Sequence, residues 1–308
     1  MQLIRTLHRR PSRPSAVTIG NFDGLHRGHQ ALIDRVVQAS TALQAVLLCF
    51  EPLPRAVLHP ERPVPRVMKP TDRIRIAARM GLDTLAQLRF DATFARMSPE
   101  DFVRRVLCEG LAARKVVIGT DFRFGHKAAG DAESLERLGR SLGFEVEVVP
   151  ALMHDGQVIS STRVRQALAT GDLQLAGQLL GRPYSISGRV LRGAGLGRKM
   201  GFATANLRPP LPPALGGILA ARVHGAGLSA HPAVVSLGRR PTVNGRDWLL
   251  EVHLFDYSGD LYGRRIEVEF VHWLREEHRF ASIEAMIEQM EHDANRARAV
   301  LEAAPSMA

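Results

Sequence analysis

Two different periodicities run along this chain, and they change over near Gly181. Before that point, short apolar runs at 15–20, 45–50, 84–88, 115–118 and 144–149 read as strands. Between them, 29–40, 71–80 and 132–142 place apolar residues at the three- and four-residue spacing of helices. Ser98-Pro99-Glu100-Asp101 marks a further helix start, with serine as cap, proline in the first turn and two acids at the positive end of the dipole. The proline-rich stretch between Pro52 and Pro70 reads as loop. Strands that alternate with helices predict an α/β unit, a doubly wound parallel sheet covered on both faces. After Gly181 come glycines, prolines and short alternating runs such as SISGRVL, AARVHG and RRIEVEFV. No helical stripe returns until 282–301. EVHLFDYSGDLYGRRIEVEF reads as a hairpin of two strands around a Ser-Gly-Asp turn. The second half is therefore expected to be a small antiparallel β-barrel with a C-terminal helix. The boundary falls at Arg182-Pro183, giving domains of 1–182 and 183–308.

Composition narrows the function class. A net charge of +10 suits anionic partners: nucleotides, nucleic acid or a membrane surface. An arginine-rich soluble surface explains the same charge equally well. Cys49 and Cys108 both lie in apolar runs, so a disulfide framework is not expected and a reducing cytoplasm is. The start MQLIRTLHRR is too poor in apolar residues to read as a signal peptide, and the apolar run 45–50 is far short of the roughly 20 residues of a membrane span. No membrane partner is expected.

The first candidate site is GNFDGLHRGHQ, at the end of the strand 15–20 and the start of the helix 29–40. In a doubly wound sheet, ligands bind beyond the carboxyl ends of strands. Gly20 and Gly28 permit close approach of backbone to a ligand, and the free N–H groups of the following helix favour phosphate. Gly20, Asn21, Phe22 and Gly28 are thus candidates for binding the phosphates of a nucleoside triphosphate. His26 and His29 are candidates for hydrogen bonding to phosphate oxygens as charge develops. Metal chelation by the two imidazoles is the rival reading, but no third ligand stands nearby. A purely structural role is the other alternative.

HRGH resembles the H-x-G-H signature of the nucleotidyltransferase superfamily, whose members attack the α-phosphate of a nucleoside triphosphate and release pyrophosphate. The resemblance implies a Rossmann-like nucleotidyltransferase domain and a second signature later in the same half. ISSTRVR, 159–165, fits it: Ser160, Ser161 and Thr162 can cap a helix and offer hydroxyls and N–H groups to phosphate, and Arg165 can hold a phosphate. Alone, the segment reads as a capped helix. GTDFRFGHKAAGD resembles the G-x-D/N-F-x-F-G loop of FAD synthetases, which implies that Asp121, Phe122 and Phe124 help form a flavin and nucleotide site.

The second half contains LRGAGLGRKMGFATANLRPP. It is not a phosphate-binding P-loop, because Lys199 is followed by Met200, and it does not fit G-x-G-x-x-G either. What remains is a glycine-rich flap, Gly195, Gly197 and Gly201, ahead of Thr204 and Asn206. Two oxygen-bearing side chains two residues apart in an extended segment face the same way and suit a Mg²⁺–phosphate group. An ordinary glycine-rich turn is the plain alternative. GFATANL resembles the G-F-P-T-A-N segment of flavokinases, where the threonine and asparagine hold Mg-ATP. By the same resemblance Glu251 is the base that takes the proton of the ribityl 5′-hydroxyl; by itself it reads as a strand residue. GDLYG and LREEHRF, with Arg275 and Phe280, are also similar to flavokinase segments and imply ATP or flavin contacts. Ala203, Leu53, Leu219 and Val243 depart from the usual pattern, and the last three bear on flavin contacts or the PLP segment rather than on phosphate chemistry.

The order of these motifs over 18–301 resembles the prokaryotic bifunctional riboflavin kinases/FAD synthetases. The resemblance implies that the flavokinase-like barrel converts riboflavin and ATP to FMN with Mg²⁺. The first half then transfers AMP from a second ATP to FMN, giving FAD and pyrophosphate. Riboflavin, FMN and ATP are the implied partners, and a homo-oligomer stays open. Two alternatives remain: only one activity is retained, or the fold serves a flavin- or RNA-binding regulator. Only 6% of residues are aromatic and no aromatic–basic RNA motif is present, which argues against nucleic acid.

Overall fold

A computed structural model describes residues 1–7, 11–193, 202–210, 212–242 and 245–303. They form two compact units: Met1–Val64 with Pro70–Ser160, and Pro65–Lys69 with Ser161–Ala308.

The first unit is built on a six-stranded sheet with the order β1-β4-β3-β2-β5-β6. Its strands are β1 (Gln2–Ile4), β2 (Ser15–Ile19), β3 (Gln44–Phe50), β4 (Thr84–Leu88), β5 (Ala113–Gly119) and β6 (Glu145–Val149). Every pairing is parallel. From β2 the chain winds outward through β3 and β4, then crosses back to β5 on the other side. The switch point of this doubly wound sheet therefore falls between β2 and β5, where ligand crevices form. All five residues of β2 are buried, as a central parallel strand requires. Val17 and Ile19 pack with Phe102, Val106, Leu107 and Leu135 in the main core. Residues that alternate with them look to the other face, where α1 (Arg27–Gln38) packs on β2, β3 and β5. The expected parallel α/β sheet is what the chain forms.

Two local features differ from the sequence reading. The proline-rich stretch is not all loop: Pro54–Leu58 forms a short helix, α2, because Pro54 stands at its first position, where a missing N–H costs nothing. A third helix, α3 (Pro70–Ala78), also opens on proline. The helix announced by Ser98 does form as α4 (Pro99–Asp101), with Ser98 Oγ accepting the Asp101 N–H at 3.0 Å. It passes into a π-wound segment, Phe102–Gly110, whose end shows an N–H of Leu111 donating to Val106 O at 3.0 Å. A fifth helix, α5 (Ala132–Leu142), follows, and a small hairpin of β7 (Met153–His154) and β8 (Gln157–Val158) ends the unit.

The second unit opens with α6 (Ser161–Ala169) and α7 (Leu173–Leu180), which pack on each other. Then come β9 (Ser185–Arg189), β10 (Ala205–Leu207), β11 (Gly217–Gly225), β12 (Leu228–Thr242), β13 (Gly245–Leu254) and β14 (Arg265–Arg275). They form one antiparallel sheet in the order β10-β13-β12-β11-β14-β9. The Leu191 N–H donates to Asn206 O at 2.8 Å and nearly closes the sheet into a barrel. The expected hairpin in EVHLFDYSGDLYGRRIEVEF is not made: β13 pairs with β12 and β10, whereas β14 pairs with β11 and β9. The connection is anchored instead by buried Phe255, whose N–H donates to Pro232 O at 3.1 Å. A last helix, α8 (Ile283–Ala303), lies over β11, β12 and β14 through Ala294, Ala297 and Leu301 against Ala220, Val234, Phe255 and Leu274.

Candidate active sites

The loop after β2 is shaped by its backbone. Phe22, Gly24 and Leu25 have φ of 48°, 99° and 46°, so three of four successive residues are left-handed. Phe22, Asp23 and Leu25 are fully buried, which fixes that strained path from beneath. The loop delivers His26 as N-cap of α1: its Nδ1 accepts the His29 N–H at 3.3 Å. In the neutral ring the proton then sits on Nε2. The two imidazoles stack, with centroids 3.6 Å apart and planes 18° apart, and Phe22 lies 4.9 Å from the His29 ring. One helical turn of spacing therefore puts both imidazoles on one spot at the carboxyl end of β2. Gly28 makes this possible: a Cβ there would stand 3.2 Å from His26 Nδ1 and 3.4 Å from the Ile159 carbonyl.

Gly20 directly follows β2, with its N–H donating to Leu48 O at 3.1 Å, and Asn21 comes next. Ile159 is buried against this loop and Ser160 comes directly after it. Ser161, Thr162 and Arg165 belong to the second unit, in the first two turns of α6. Arg165 is partly exposed, and its Nε donates to Pro65 O at 2.7 Å. The loop after β5 carries exposed Asp121, half-buried Phe122 and buried Phe124. Phe122 and Phe124 stack at 5.5 Å, but Phe124 also packs on Phe102 at 5.6 Å, inside the main core. Phe124 thus supports the loop from within.

In the second unit, pairing across the sheet builds the site. Asn206 stands opposite Glu251, and Glu251 stands opposite Ser236, so the three side chains form one row on one face of β10, β13 and β12. Asn206 is buried, while Glu251 and Ser236 are half-buried. Ser236 Oγ donates to Glu277 Oε1 at 2.8 Å, and Glu277 lies against Gly238, where no Cβ blocks it. Thr204, just before β10, lines a cleft of about 330 Å³ with Val190, Leu254, Tyr257, Asp260 and Tyr262. Thr204 and Asn206 offer hard oxygen donors of the kind Mg²⁺ takes. Mg²⁺ usually keeps waters and takes substrate phosphates as ligands, so two protein oxygens would suit it here.

Arg275 is held as a strut. Its Nε and Nη2 donate to the buried Asp293 carboxylate at 2.6–3.0 Å, and its Nη1 donates to Glu276 O at 2.8 Å. Phe280 lies 5.9 Å from the guanidinium and 4.3 Å from the His278 ring. Gly195, Gly197, Gly201 and Val243 lie outside the described residues. Sequence reasoning missed Ser236, Glu277 and Asp293, because each acquires its place only through pairing or packing between distant segments. Among the described residues no helix is long and apolar enough to cross a membrane.

Comparison with known proteins covers both units. Residues 8–163 match the FAD synthetase family, and residues 180–301 match the riboflavin kinase family. A bifunctional riboflavin kinase/FMN adenylyltransferase of Haemophilus influenzae is 41% identical over 306 residues, 97% of this chain and 99% of that protein. One from Pseudomonas fluorescens is 43% identical over 314 residues, 99% of each chain. A crystal structure described as a macrolide-efflux protein from Streptococcus pneumoniae has a TM-score of 0.78 and 29% identity, covering 96% of this chain and 98% of that one.

Proposed function

The chain belongs to the bifunctional riboflavin kinase/FMN adenylyltransferase family, which makes FMN from riboflavin and ATP and then FAD from FMN and ATP, and from that premise we propose which residues carry each step. The observation that carries the assignment is the register that sets Asn206 directly opposite Glu251. A phosphate-side ligand and a carboxylate base then face the same spot. In the kinase reaction Glu251 accepts the proton of the ribityl 5′-hydroxyl as its oxygen bonds to the γ-phosphorus of ATP, and ADP leaves. Thr204 and Asn206 would hold the Mg-ATP phosphates, where a bound Mg²⁺ would supply charge neutralisation. Phe280 and the glycine-rich flap of Gly195, Gly197 and Gly201 contribute to ATP or flavin binding.

In the second reaction a phosphate oxygen of FMN attacks the α-phosphorus of ATP, and pyrophosphate leaves. His26 and His29 donate hydrogen bonds to phosphate oxygens as charge builds on them. Gly20, Asn21, Phe22 and Gly28 shape the phosphate loop. Ser160, Ser161, Thr162 and Arg165 are assigned phosphate contacts, and Asp121, Phe122 and Phe124 the flavin and nucleotide loop. Cys49 and Cys108 are not joined in a disulfide, in keeping with a reducing cytoplasm. The test is product analysis after mixing the protein with riboflavin and ATP, with and without Mg²⁺. FMN and FAD are expected together and neither without the metal. Turnover undiminished in chelator would remove the metal role of Thr204 and Asn206.

A further inference from the structure

The bulkiest fully buried side chain of the described residues is a cation. Arg73, on α3, is 1% exposed, although arginine is rarely interior unless it is paired; its two terminal nitrogens are bonded, while its buried Nε has no hydrogen-bond partner. Its Nη1 donates to the Asn21 carbonyl at 3.1 Å. Its Nη2 donates to Glu51 Oε2 at 3.2 Å and to Gln87 Oε1 at 3.0 Å. Asn21 follows β2, Glu51 follows β3 and Gln87 lies in β4, three neighbouring strands of the sheet. One planar guanidinium thus ties together the carboxyl ends of three strands, on the edge where the loop to His26 opens. Lysine, a point charge without the fork, cannot reproduce that geometry in full.

The bond to Asn21 goes to main chain. A trans peptide sends its carbonyl and the next N–H in opposite directions. Holding the Asn21 carbonyl on Arg73 therefore sets the direction of the Phe22 N–H and the entry into the left-handed run at Phe22, Gly24 and Leu25. We propose that Arg73 is a positioning residue for adenylyl transfer: it does not touch substrate, and it fixes the backbone that presents His26 and His29. This rests on the reading of that loop as the ATP phosphate site.

The experiment uses the full chain with Arg73→Gln and Arg73→Lys, and measures both reactions together with amide hydrogen exchange. A small misplacement of catalytic groups costs up to about 10²-fold. Arg73→Gln is expected to lower kcat/KM for FAD formation at least about tenfold and leave FMN formation within about twofold. Exchange should quicken at residues 20–26 while β2, β3 and β4 stay protected, and Arg73→Lys should recover part of both losses. A Gln variant that loosens the loop yet forms FAD at the parent rate overturns the proposal. So does exchange that quickens equally through all three strands, which marks general structural support. If the Gln variant does not fold, the Lys variant decides: an unchanged loop and unchanged FAD formation overturn the proposal. His29→Ala separates the two layers, because parental FAD formation in that variant would sink the phosphate-loop reading itself.

Discussion

At His29 the imidazole is stacked on its neighbour and stands at the mouth of the loop, so its loss removes a donor without opening the core. His29→Ala should lower FAD formation by about 10²-fold or more, the scale of losing one transition-state donor, and leave FMN formation unchanged. Restoration by added zinc would convert the pair into a metal site and end the phosphate reading. Glu251→Gln keeps shape and removes the base. FMN formation should fall by about 10²- to 10⁴-fold while adenylylation of supplied FMN persists. The competing view gives Glu251 only a place in the sheet between Asn206 and Ser236. That view predicts a melting temperature lowered by several degrees and a kinase rate within about threefold of the parent, so both are read on one preparation.

Elements show where local pattern ends and tertiary structure decides. The strand 84–88 and the helix 132–142 were readable to the residue, because period and punctuation are local. The false hairpin shows the limit. Period-two alternation tells which way a side chain faces and not which strand it meets, and β13 and β14 found other partners. The row of Asn206, Glu251 and Ser236 was hidden for the same reason, although Asn206 and Glu251 were each legible from their motifs. Arg275 was legible as a charge within LREEHRF, but its partner sits on α8. Asp293→Ala would leave a largely buried guanidinium unpaired, a loss of about 3–5 kcal/mol in comparable buried pairs. The second unit's melting transition should fall and kinase activity with it, while FAD formation from supplied FMN continues. Kinase loss at an unchanged melting temperature would instead give Arg275 a direct part in ligand binding, contrary to its role as a strut.

On the scale of the whole molecule, two chemistries on two compact units should be separable, and the place to cut is itself informative. We propose a functional division at 182, which leaves the Ser-Ser-Thr-Arg segment with the adenylyltransferase. Contacts group α6 and α7 with the barrel: α7 packs on β14, and Gly171, at φ 73°, sits so close to Trp273 that a Cβ would lie 2.7 Å from the ring. α7 buries Leu173, Ala176, Leu179 and Leu180, and Asp172 caps it by accepting the Leu175 N–H at 2.9 Å. Removing these helices returns apolar surface to water at about 25 cal/mol per Å². A fragment of 183–308 should therefore melt several degrees below one of 161–308, and both should still phosphorylate riboflavin. Fragment 1–182 should adenylylate supplied FMN. Fragment 1–160 should not, because it lacks Ser161, Thr162 and Arg165. Calorimetry and the two product assays on the four fragments check this together. Full adenylylation by 1–160 would strip the segment of its phosphate role, and a requirement of either reaction for the intact chain would end the claim that the two units work independently.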